Sequence, residues 1–246
     1  MKDNIKKVGV LGYGEVGKAI AKFYKRPLIK DLKIDGGLIG VEILNVCIPW
    51  SKKFLEIVEK EIKKIKPKLT IIHSTVAPGV TIKLAKKFKG MVVHSPIRGI
   101  HPYLYEGIKT FVKYIGSDSE KAGLAAKDHL ESLGIKTKIF YPSSTTEIGK
   151  LLDTSYYGVV IAWHGDMKRI CDKFNVEFES AVTDFNKTYN QGYSKLKMTH
   201  VVRPILYPPN NGLIGGHCIV ENADILKEFY KDGSALDLVL KYRKKN

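Results

Sequence analysis

Short apolar, β-branched runs recur through roughly the first 140 positions, and each is followed by a stretch with apolar residues at helical spacing. The strand-like runs are Lys7–Leu11, Pro27–Lys30, Val41–Ile48, Leu69–His73, Met91–Ser95, Thr110–Ile115 and Thr137–Tyr141. Between them, Lys18–Phe23 reads as a helix. Phe54, Leu55, Val58, Ile62 and Ile65 form the apolar stripe of a second, which Ser51 would cap and Pro67 would stop. A third runs through Leu84 and Phe88, and a fourth from Asp118 to Leu133. Strands that are apolar on both faces and alternate with helices predict an α/β fold with a doubly wound parallel sheet over residues 1–142.

Two places break the alternation. Ile34–Gly40 is short of the 10–12 or so residues that a helical crossover needs, so this half of the sheet should be abbreviated. Pro96–Tyr105, rich in Pro, Gly, His and Tyr, reads as an active-site loop. After Pro142 the pattern changes. Ser144 and Glu147 have capping-box spacing, and a helical pattern then persists to about Phe174. Leu151, Leu152, Tyr156, Val159, Val160, Ile161, Trp163 and Met167 surround that helix, more apolar surface than one small domain buries, which predicts a homodimer. Residues 143–246 should form a helical domain, with a further helical pattern over Phe178–Lys195, an irregular, proline-rich segment at Met198–Asn222, and short helices at Asp224–Tyr230 and Ser234–Tyr242.

The first strand runs directly into Gly12-Tyr13-Gly14-Glu15-Val16-Gly17. The G-x-G-x-x-G spacing between a strand and a helix suits a Rossmann-type turn, in which the backbone approaches a pyrophosphate and helix and strand pack closely. Asp31 closes the second strand nineteen residues after Gly12, where a carboxylate accepts from a ribose 2′-hydroxyl. That acid points to NAD rather than NADP. Pro49 and the loop Ser74–Gly79 follow later strands and should face the same ligand, because open sheets bind at the carboxyl ends of their strands.

Composition narrows the picture. The formal net charge is +16, with lysines such as Lys52, Lys53, Lys60, Lys63, Lys64, Lys83, Lys86, Lys87 and Lys89 spread over helix faces. No nucleic-acid signature accompanies them, so they read as a solvated surface whose field favours anionic small molecules. The first residues hold no signal-like apolar region, and no run suits a membrane span, so no membrane is expected. The three cysteines, Cys47, Cys171 and Cys218, are far apart in sequence and suggest a reducing cytoplasm. His73, His94, His101 and His217 lack metal-ligand spacing, and no metal is expected.

Four stretches together resemble the nucleotide-sugar 6-dehydrogenases, which oxidise UDP-glucose or UDP-N-acetylhexosamines with NAD. They are the Gly12–Gly17 turn, Ser74-Thr75-Val76-Ala77-Pro78-Gly79, the Glu147–Leu151 opening of the long helix, and Gly215-Gly216-His217-Cys218. The likeness covers nearly the whole chain, without the family's C-terminal nucleotide-binding domain. It implies that Cys218 captures an aldehyde and later holds a thioester, that Lys150 stabilises oxyanions, and that Thr75 lies by the nicotinamide. It also implies substrate contacts from Thr154, Arg203, His217 and Asn222, and dimerisation through the long helix. Cys47 and Cys171 fall within predicted elements and should be inert. The chain departs from the family at three points. Thr154 stands where the family has asparagine, Asn222 where it has aspartate, and Ser95–Gly99 where it has a glutamate. Those losses bear on hydrolysis more than on hydride transfer. Two other readings remain open: a non-catalytic dinucleotide-binding module, and a transferase using S-adenosylmethionine in the same crevice.

Overall fold

A computed structural model describes residues 7–214 and 218–243. β1 (Val8–Leu11) leads through the glycine turn into α1 (Glu15–Ala21), β2 (Leu28–Asp31), β3 (Ile34–Asp35) and β4 (Ile43–Val46). α2 (Phe54–Ile65), β5 (Leu69–Ile72), α3 (Val80–Lys87), β6 (Val92–His94), α4 (Leu104–Thr110), β7 (Lys113–Ser117), α5 (Glu120–Ser132) and β8 (Thr137–Phe140) follow. The strands form one eight-stranded sheet in the order β3-β2-β1-β4-β5-β6-β7-β8. β1, β4 and β5 are buried along their whole length, as strands covered on both faces must be.

The doubly wound α/β architecture is present, with local differences from expectation. β7 runs antiparallel to β6, so the sheet is mixed. Where a bare crossover was expected, β3 folds back antiparallel on β2 as a hairpin, and the chain reaches β4 without a helix. Two residues suffice for that strand because Gly36 N–H returns a bond to Ile29 O at 2.7 Å. α4 replaces the expected start of a strand at Thr110, because Leu104, Gly107 and Ile108 bury one helical face and the strand begins only at Lys113. Ser51 does not cap α2; Lys53 takes that place with no side-chain bond.

The chain divides into two compact units, residues 1–150 and 151–246. The division falls inside α6 (Ser144–Lys173), eight residues beyond the start expected for the helical domain. The reason is local. Ser143, Thr146 and Glu147 are buried by bonds to residues of the first unit, so the opening turns of α6 belong to it.

In the second unit a six-residue π-helical run, Glu179–Asp184, passes into α7 (Phe185–Lys195). α8 (Cys218–Phe229) and α9 (Ser234–Lys241) close it. Gly165 of α6 is required here, because a Cβ would lie 2.4 Å from the Tyr242 ring. Tyr242 is fully buried, and its hydroxyl donates to Asp166 at 2.9 Å, which fastens the end of α9 onto α6. The irregular segment predicted to run to Asn222 ends sooner, since Cys218 already belongs to α8.

Candidate functional site

In the first unit the glycine turn closes tightly. Gly12 adopts φ +92°, and a Cβ on Gly17 would lie 1.9 Å from Gly12 O, so the helix can start this close to the strand only with glycine at both positions. Nothing lies within 4 Å of where a Cβ of Gly14 would be, which leaves that stretch of backbone open to a ligand. Tyr13 and Val16 are half-buried, and Gly14 and Glu15 are exposed. Asp31 bends back over the turn. Its carboxylate accepts from Tyr13 N–H at 2.5 Å and from Leu32 N–H at 2.7 Å. The sequence anticipated a carboxylate facing a ribose; it did not anticipate the bond by which Asp31 holds the glycine turn in place.

Pro49 is exposed beyond β4, and Thr75 is half-buried in the loop after β5. Below that loop, Ser74 donates to Ile48 O at 2.6 Å and joins the ends of β4 and β5. A buried polar layer underlies these strand ends. His73 donates from Nδ1 to Ser95 O at 3.0 Å, and its Nε2 lies 2.9 Å from the Asn45 side chain. His94 donates from Nε2 to Ser74 O at 3.1 Å, and its Nδ1 accepts the Thr146 hydroxyl at 2.8 Å. Burial depresses His94 to about 3 and His73 well below the usual range, so both rings are neutral. Among the described residues, no group of three or more His, Cys, Asp or Glu could hold a metal ion.

Lys113 is the residue that sequence reasoning missed. It is 3% exposed, and Nζ donates to Ser95 O at 2.8 Å and Pro96 O at 3.3 Å. Burial pulls its ammonium down to about 7. The available signal was its place within an apolar strand pattern, where a solvated lysine does not fit. Two carbonyl bonds tie down the start of the loop between β6 and α4. A separate hollow lined by Lys30, Leu38, Glu61, Lys64 and Ile65 includes none of the glycine-turn residues.

The capping box expected at Ser144 does not form. Glu147 is fully buried and accepts instead from Gly79 N–H at 2.7 Å and Thr81 N–H at 2.8 Å, which caps α3. Gly79 has no side chain with which to do so. Asp118 accepts from the Ser143 backbone N–H and hydroxyl at the head of α6. Desolvation raises the Glu147 carboxyl above its ordinary range, against the pull of those N–H donors. Lys150 follows on the next turn, half-buried.

In the second unit Thr154 is half-buried on α6, and Cys218 is exposed on the first turn of α8. Asn222, expected in an irregular segment, is instead buried one turn further along α8, and among the described residues its Nδ2 has no hydrogen-bond partner. The guanidinium of Arg203 lies over Tyr189 at 4.3 Å and Tyr193 at 5.4 Å, and its backbone exchanges two 2.8 Å bonds with Asn190. That stacking supplies an orientation for Arg203 that sequence spacing could not. Gly215, Gly216 and His217 lie outside the described residues.

A glycine turn held by an acid at the end of β2, in a sheet of this order, defines a Rossmann-type dinucleotide fold followed by a helical unit. Two curated relatives are UDP-N-acetyl-D-mannosamine dehydrogenases. That of Methanocaldococcus jannaschii is 27% identical over 207 residues, covering 77% of this chain and 45% of the relative. That of Pyrococcus horikoshii is 26% identical over 224 residues, covering 85% of this chain and 50% of the relative. In solved structures, UDP-D-ManNAc dehydrogenase from Pyrococcus horikoshii matches with a TM-score of 0.79 at 20% identity, covering 96% of this chain and 68% of that one, a likeness of fold. No family model matches the chain. The resemblance read from the motifs holds: the chain is similar to nucleotide-sugar dehydrogenases, and it spans about half the length of the curated relatives it matches.

Proposed function

We propose that this chain is an NAD-dependent oxidoreductase acting on an anionic or sugar-like alcohol through a cysteine nucleophile, with UDP-linked sugars as the class its relatives suggest. The observation that carries this is the glycine turn closed against Asp31, in a chain whose curated relatives are named for oxidising a UDP-sugar. NAD, when bound, takes up the hydride. Gly14 leaves backbone open to the pyrophosphate, and Asp31 selects the unphosphorylated ribose. Cys218 is offered as the nucleophile and Lys150 as the cation for developing negative charge, with Thr75 beside the ring and Arg203 and Thr154 toward substrate. A cytoplasmic setting suits three thiols outside any disulfide. Among the described residues, no helix is long and apolar enough to cross a membrane. The test is titration calorimetry with NAD+ and NADP+, followed by reduced-cofactor formation with UDP-N-acetyl-D-mannosamine. A chain that binds neither dinucleotide ends the proposal.

The second reading is a dinucleotide-binding module without turnover. It is favoured by Asn222, which is no base and is buried in α8, and by Glu147, which is committed to capping α3. A homodimer belongs to either reading. Leu152, Tyr156, Trp163 and Ile170 along α6, with Phe174 just past its end, recur at helical spacing and are 47–69% exposed, an apolar stripe that a second copy would cover.

A further inference from the structure

We propose that His101 sets the dinucleotide affinity of this chain by holding the Glu15 carboxylate, which makes it a positioning residue for the cofactor. This role rests on the dinucleotide reading above. Glu15 sits between Gly14 and Val16 and is the sole acid of the Gly12–Gly17 turn. A turn that brings backbone N–H groups to a pyrophosphate is a poor place for a carboxylate, whose charge repels the phosphates. His101 Nδ1 lies 2.5 Å from Glu15 Oε2, so an N–H donated from the imidazole draws the carboxylate to itself and fixes where it points.

The loop between β6 and α4 is built to deliver this contact. At its start, buried Lys113 donates to Ser95 O and Pro96 O. In its middle, Arg98 stacks on Tyr114 at 4.8 Å. Just past its end, Tyr105 at the start of α4 packs on Phe23, two residues beyond α1, at 4.7 Å, with Lys22 and Lys109 each 5.5 Å from the Tyr105 ring. His101 is therefore carried on a segment fastened at both ends to the unit that bears the turn. The side chains of His101 and Glu15 are 42% and 69% exposed. An exposed pair adds little to folding, so its consequence is read in binding rather than in stability.

The experiment measures the NAD+ dissociation constant of the wild-type chain, His101→Ala, His101→Gln, Glu15→Gln and the double variant His101→Ala/Glu15→Gln, with thermal melting beside each. His101→Ala should weaken binding about three- to tenfold with melting unchanged, within the tenfold that a single electrostatic contact can supply. His101→Gln, which keeps a donor for Glu15, should recover most of the loss. Glu15→Gln should bind at least as tightly as wild type, and the double variant should match Glu15→Gln, as pairwise coupling requires. Equal binding by wild type and His101→Ala overturns this role and leaves the dinucleotide reading standing. An undiminished loss in the Glu15→Gln background overturns it too, because His101 would then act without Glu15. A wild-type chain that binds no NAD+ overturns both.

Discussion

Glu147 Oε1 accepts the backbone N–H of Thr81 at 2.8 Å, while its Oε2 accepts that of Gly79 at 2.7 Å. A carboxylate from the long helix thus completes the start of α3, just beyond the loop that bears Thr75. Glu147→Ala should leave two N–H groups without their acceptor and cost about 2–5 kcal/mol of stability, and Glu147→Gln, which keeps one acceptor, about 1–3 kcal/mol. Urea unfolding measures both. Equal stability of wild type and Glu147→Ala would refute the capping role.

Against opposing contributions from the raised Glu147 carboxyl at acid pH and the raised Cys47 thiol above about 9, stability should rise with pH first through His94 and then through Lys113. Both are bases that burial holds below their ordinary values, so the unfolded chain binds the additional proton. For His94 the loss accumulates as pH falls from about 6.5 to about 3. For Lys113 the folded chain gains as pH rises from about 7 to about 10.5. Each slope approaches about 1.4 kcal/mol per pH unit within its window. Lys113→Met should flatten the alkaline limb alone, as followed by denaturant midpoints at several pH values.

Asp31 should favour NAD+ over NADP+, because its carboxylate repels a 2′-phosphate. It also holds Tyr13 N–H, so Asp31→Ala should lower NAD+ affinity at least about tenfold as well as erase the preference. Calorimetric titration with both dinucleotides separates the two effects. Tighter NADP+ binding by the wild-type chain would contradict the assignment.

Cys218 should react with iodoacetamide well ahead of the other cysteines. Cys47 and Cys171 are buried, and burial pushes the Cys47 thiol up to about 12, whereas Cys218 is exposed. With a true substrate, slow hydrolysis should let an acyl adduct build up on Cys218 after a burst of reduced cofactor, and Cys218→Ser should remove the adduct and the second-hydride part of the burst while sparing dinucleotide affinity. Peptide mass spectrometry reads the order of alkylation. Equal, slow labelling of all three would favour the module without turnover.

If the stripe on α6 is an interface, Trp163→Glu or Tyr156→Glu should convert dimer to monomer, since a buried charge is costly. Multi-angle light scattering at micromolar concentration decides the point, and a monomeric wild-type chain would refute it.

The alternation of apolar runs and helical stripes determined the α/β architecture, the glycine turn and the extent of the long helix. These rest on local periodicity, on a backbone conformation that glycine alone adopts, and on a helix that spans Ser144–Lys173, as its pattern said. Tertiary structure alone decided how the side chains are used. Glu147 had the spacing to bond its own helix end, yet it bonds α3, because buried N–H groups at Gly79 and Thr81 lay within reach and had no cap of their own. Lys113 stands in an apolar strand pattern that marks it as out of place for a solvated lysine, but only folding places it among carbonyls at the ends of the strands. Residues 31 and 13, and 101 and 15, are distant in sequence and meet because the sheet and its loops converge on one turn. Periodicity reports which face of an element is buried; which partner waits there depends on the packing of elements distant in sequence.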